Sequence, residues 1–204
     1  FSVHLTGGAV VVTFLLAWWL LDALRHPVQG RARDFGTLAA IAVPTLVLLL
    51  PQFLAVLRQT GIITGHTFRT HEGRLRALFD AVFQHTRHLN DFPIQNILIA
   101  LAGAGFVLLL IKRIWWPAAV WLLLVVAIVW SSDPFGGPLG TAVGAYSDLF
   151  YSDPRRLSAV ITLLLTPMAG VALFSAVLLV VAGIRAVARR MNHDRDRGFW
   201  ITAS

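Results

Sequence analysis

The sequence predicts an all-α polytopic membrane bundle, with about five apolar helices crossing the bilayer and amphipathic helices on its extracytoplasmic side. Three observations predict it. Hydrophobic residues fill 57% of the 204 positions and charged residues only 13%, against the roughly 45–50% apolar content of a soluble domain. The mean hydropathy is +0.73. Charge is also missing from whole stretches, residues 36–57 and 95–111 among them, which is the clustering that separates a membrane protein from a greasy soluble one.

The elements follow in order. A span needs about 20 apolar residues at about 1.5 Å per residue. The first covers residues 5–24 and carries Trp18 and Trp19 near its end; the second covers residues 35–50, with Pro44 inside it and Pro51 closing it, so residues 1–50 hold two spans. Residues 51–92 form an extracytoplasmic connection. Within it Leu75, Leu78, Phe79, Val82 and Phe83 recur at helical spacing, while Arg74, Arg76, Asp80, Gln84 and Arg87 take other faces. That pattern predicts an amphipathic helix in the membrane interface in preference to one packed on the bundle, with residues 52–57 as a second, shorter one.

Residues 93–130 hold spans three and four. The third, residues 93–111, includes Gly103 and Gly105, small enough to let a neighbouring helix approach. The fourth starts at Pro117, a good first-turn residue, and ends at Trp130. Residues 131–156 form a second extracytoplasmic connection, whose turn-rich start, Ser131 to Pro138, could dip back toward the membrane. As a phosphate cradle that start lacks the lysine and helix onset of a P-loop. The fifth span, residues 157–187, is long enough to tilt or to bend at Pro167. Residues 188–204 are a basic cytoplasmic segment leading to Phe199-Trp200-Ile201-Thr202, the onset of a further span, so the chain reads as an internal piece of a longer protein.

Charge supplies the orientation. The connections after spans one, three and five carry ten Lys and Arg; the other side carries seven, five of them within one long connection. The positive-inside rule acts on short connections, so the first side is cytoplasmic and the chain is a multi-pass plasma-membrane protein. The net charge of +7 and pI near 11.4 sit beside the spans, which makes lipid headgroups the anionic partner and leaves no nucleic-acid motif. With no cysteine, disulfides and thiolate metal sites are excluded. No signal peptide is discernible, so the spans carry the targeting.

The densest polar constellation is Tyr146 to Arg156, directly before the fifth span. Adjacent Arg155 and Arg156 at a helix start are electrostatically awkward, because that helix end is already partially positive. Asp148 and Asp153 can orient and compensate them, or a lipid phosphate can, gripped through paired N–H donors. Asp153 followed by Pro154 also reads as a plain helix cap. The two aspartates, with His66, His71, His85 or His88, could take a hard divalent cation, though no spacing requires it. Asp22 reads as the partner of Arg25. The span centres carry no ionisable group, which argues against an ion channel or proton-coupled pump.

The stretch Leu149-Phe150-Tyr151-Ser152-Asp153-Pro154-Arg155-Arg156-Leu157, followed by an Ala- and Leu-rich span, resembles large actinobacterial polytopic membrane proteins. These look like the GT-C glycosyltransferases, which use polyprenyl-phosphate sugars outside the membrane. Sixteen arginines to one lysine fit a high-GC source. The resemblance is specific over about ten residues. It implies a polyprenyl-phosphate donor bound by Tyr151, Arg155 and Arg156, a glycan acceptor, and a catalytic carboxylate upstream of Phe1. The alternatives are a non-enzymatic membrane subunit contacting a membrane-protein partner, or a lipid or polysaccharide transporter.

Overall fold

The computed structural model describes residues 5–22, 31–63, 71–85 and 94–202, and among these it is all-helical. The helices are α1 (Leu5–Asp22), α2 (Arg31–Ile63), α3 (Arg74–Val82), α4 (Asn96–Ile111), α5 (Trp116–Ser132), α6 (Gly137–Asp148) and α7 (Pro154–Thr202).

A core forms where α4, α5, α6 and α7 meet, with Leu124, Ile128, Phe150, Leu157, Ile161, Leu164 and Met168 fully buried or nearly so. Across the short turn between α4 and α5, Phe106 packs on Trp121 at 5.7 Å between centroids, each five residues from the turn, so the two helices run antiparallel. Gly105 of α4 lies directly on the Met168 carbonyl of α7, close enough that a Cβ there would overlap it. A Cβ at Gly103 would meet open space. Of the two glycines, only Gly105 is the close-approach residue. At one end of α1 the Thr6 hydroxyl donates to the Leu149 carbonyl, and further along Phe14 packs on Trp116 at 6.1 Å between centroids. Helices α1, α4 and α7 therefore run one way and α5 returns, so that one end of the bundle gathers α3, α6, the α5 C-terminus and the α7 N-terminus.

Several expected boundaries are corrected. Pro51 does not close the second helix, since α2 runs on through Pro44 and Pro51 to Ile63. A proline ring removes one backbone hydrogen bond and crowds the preceding turn, and α2 carries both prolines inside one continuous helix. The connection 131–156 is not a loop throughout: α6 folds back from α5 at 96°. Gly140 sits against the Phe135 carbonyl and Gly144 against the Trp130 ring, where any Cβ would collide. Trp130 Nε1 donates to the Phe135 carbonyl at 3.2 Å and ties the fold-back. The basic segment from residue 188 is a continuation of α7.

The count of about five spans is revised too. Among the described residues one helix, Pro154–Arg190, is long and apolar enough to cross a membrane, or two if the bent pair α5 and α6 makes one span. The sequence count admitted shorter runs: α4, with 16 residues, reaches only about 24 Å against about 30 Å of hydrocarbon.

Candidate functional site

The polar end of the bundle is organised by helix termini. Helix α6 finishes in a Schellman turn: Ser152 N–H donates to Ser147 C=O at 2.9 Å and Tyr151 N–H to Asp148 C=O at 3.0 Å. Tyr151 and Ser152 both take left-handed backbone, φ 61 and φ 49. A non-glycine residue adopts that conformation at a penalty of about 1–2 kcal/mol. The turn is held from inside, because Ser152 Oγ donates to Asp148 Oδ1 at 2.7 Å. Phe150 is fully buried beneath it and stacks on Tyr146 at 5.3 Å.

The chain then enters α7 with Asp153 as its cap. Asp153 is 4% exposed and accepts the Arg155 backbone N–H at 3.0 Å, satisfying one donor of the first turn. Its Oδ1 also accepts Arg155 Nε at 2.9 Å, while its Oδ2 lies 3.9 Å from Arg156 Nε. Asp153 is therefore both the cap and a partner of the arginines: Oδ1 accepts both the backbone N–H and the Nε of Arg155, and Oδ2 faces Arg156. Arg156 lies over the Tyr151 ring, with Cζ 4.1 Å from its centroid. At 3.9 Å its approach to Asp153 is a Coulombic contact and no hydrogen bond. One carboxylate facing two guanidiniums leaves the helix start net positive, on top of the partial charge of its own amides. Of the expected site residues, Tyr151, Asp153, Arg155 and Arg156 come together, and Asp148 serves the turn beside them.

A second polar group ties α3 to the bundle, so this helix is not the interfacial one that its apolar spacing predicts. Ala77, Asp80 and Ala81 are buried, while Leu75, Leu78, Phe79 and Phe83 stay exposed. The helix thus packs on the bundle through a small-residue face and keeps its large apolar side chains outward. Asp80 Oδ2 accepts Arg76 Nε at 3.1 Å; its Oδ1 is buried with no hydrogen-bond partner and lies 3.6 Å from His85 Nδ1. Gln84 bridges to α7, where its Oε1 accepts Ser158 Oγ at 2.9 Å and lies 3.1 Å from Thr162 Oγ1. Arg74 pairs with Asp133 at 2.8 Å, both about half exposed. The signal for this inward face was legible as Ala77 and Ala81 flanking Asp80, small residues that permit close packing.

Among the described residues no group of three or more His, Cys, Asp or Glu could hold a metal ion. His71 is exposed and His85 stands beside Asp80. His66, His88 and Arg25 lie outside the described residues. No curated protein and no solved structure is significantly similar to the chain. A family model does match, over residues 1–204, and the chain accordingly belongs to DUF6541, a family of unknown function.

Proposed function

We propose that this chain is a multi-span membrane portion of a GT-C-like glycosyltransferase of cell-envelope glycan assembly, and that the turn from Tyr151 to Arg156 holds the phosphate of its polyprenyl-phosphate-linked donor. The observation that carries the reading is Arg156: half-exposed, stacked on Tyr151, and within Coulombic range of Asp153 without hydrogen-bonding to it. Its forked donors suit a phosphate. Positive charge there stabilises a departing phosphate more as the glycosidic bond breaks, which is the differential interaction catalysis needs. No residue of this chain is assigned as the catalytic base; in the GT-C resemblance that carboxylate lies upstream. The multi-span part is supported by large apolar side chains facing outward on α1, α2, α4 and α7, including Val11, Phe35, Leu48, Ile97 and Leu179.

Native mass spectrometry of the detergent-purified chain with added polyprenyl phosphate tests the donor site. Wild type should retain the lipid, Arg156→Ala should lose most of it, and Arg155→Ala, whose guanidinium is bonded to the cap, should lose less. Equal retention by all three forms sinks the donor reading. One observation favours a second reading, a non-enzymatic subunit of an envelope-synthesis complex. The polar groups Gln84, Ser158, Arg74 and Asp133 bind one another across elements, as in a rigid docking platform.

A further inference from the structure

We propose that the two adjoining concavities at the opposite end of the bundle form one binding site for a glycerophospholipid, with the phosphodiester headgroup at Arg113 and an acyl chain in the groove beside it. The smaller concavity, about 190 Å³, lies between the end of α1 and the turn joining α4 to α5, and its polar lining comes from Asp22 and Arg113. The larger, about 490 Å³, is lined wholly by apolar side chains, among them Phe106, Ala119 and Trp121. Leu21 and Trp115 border both. A polar pocket opening onto an apolar groove fits a ligand that is itself divided in this way.

The backbone makes Arg113 the anchor. Arg113 N–H donates to Leu110 C=O and Ile114 N–H to Leu109 C=O, both at 2.9 Å, which closes α4 in a Schellman turn with Arg113 at φ 60. Glycine takes that backbone without steric cost, whereas an arginine takes it at a penalty. What arginine adds is a guanidinium at the pocket, beside the start of α5, whose first amides carry partial positive charge. Trp18 and Trp115, each well exposed, and Trp116 ring the pocket. Such rings settle where headgroup meets acyl chain. The Asp22 carboxylate, besides the interaction it already makes, can accept from a headgroup hydroxyl. That favours a glycerol headgroup over choline.

This inference rests on the membrane reading but not on the glycosyltransferase one, and it concerns other residues. The test is native mass spectrometry of the full chain in detergent, titrated with phosphatidylglycerol, phosphatidylcholine and inorganic phosphate. Wild type should retain phosphatidylglycerol at least tenfold more tightly than phosphatidylcholine. Arg113→Gly, which suits the backbone, and Ala119→Phe, which fills the groove from an exposed position, should each weaken it tenfold or more, while Arg189→Ala, at an exposed arginine of α7, leaves it unchanged. Unaltered binding by both Arg113→Gly and Ala119→Phe overturns the site. Competition by inorganic phosphate at concentrations matching the lipid's would make it a free-phosphate site and overturn the lipid assignment. Failure of the membrane reading is separable, because the chain would then leave membranes in an alkaline carbonate wash.

Discussion

Asp153 shows how one buried side chain can serve two roles whose loss is separable by substitution. Asp153→Ala removes the cap of α7 and uncovers two guanidiniums; loss of a cap alone costs about 1 kcal/mol, and the bereaved arginines add to it. Asp153→Asn keeps an oxygen for the Arg155 N–H and gives up only the charge. Thermal unfolding in detergent should therefore rank wild type above Asn above Ala. If Asn proves as damaging as Ala, the ion pairs and not the cap dominate. Tyr151 offers the complementary case. Tyr151→Gly relieves a left-handed residue by about 1–2 kcal/mol and forfeits a cation–π contact of about 0.5–1 kcal/mol. Stability should hold or rise slightly, while retention of polyprenyl phosphate falls because Arg156 loses the plate that orients it. A variant that binds the lipid as wild type does would show that the stacking is incidental. The sequence made Tyr151, Asp153, Arg155 and Arg156 legible because they are adjacent in the chain. Gln84 was not, because its partners on α7, Ser158 and Thr162, lie more than seventy residues away.

At the scale of elements, the helix bodies were legible and their ends were not. Apolar runs located α4, α5 and the start of α7 to within a few residues, since burial and lipid both demand them. Chain reversal, by contrast, is usually announced by glycine at the C′ position. Here Gln84, Arg113 and Tyr151 occupy left-handed positions instead, so the stops carry no compositional mark. Helix α6 was hidden for the opposite reason: Gly140 and Gly144 inside it serve contact and not turning. The pair Gly103 and Gly105 separates these uses. Gly105→Ala would push a methyl into the Met168 carbonyl and should destabilise by about 1–3 kcal/mol, the cost of overpacking. Gly103→Ala meets open space and should stabilise by up to about 1 kcal/mol through helix propensity. Chemical unfolding of the two variants checks the contrast, and equal effects would mean that α4 and α7 are not in close contact.

Across the whole molecule, the length of α7 sets the membrane geometry. Its membrane-crossing candidate, the 37 residues Pro154–Arg190 with arginines at both ends, extends about 55 Å, nearly twice the hydrocarbon thickness. The first part packs on α4 and α5, with Leu164 and Met168 buried, whereas Leu173, Phe174, Leu179, Val180 and Ile184 are exposed. Such a row is stable only in lipid or against another apolar surface. Because the chain has no cysteine, single introduced thiols report on its surroundings without background. In membranes, Phe174→Cys and Val180→Cys should react at least tenfold more slowly with an impermeant maleimide than Arg189→Cys once the cytoplasmic face is opened. Asp148→Cys should react from the outer face of intact cells. Thiols at 174 and 180 that label as quickly as the one at 189 would remove α7 from the bilayer, and the lipid-binding roles assigned to both ends of the bundle would fall with it.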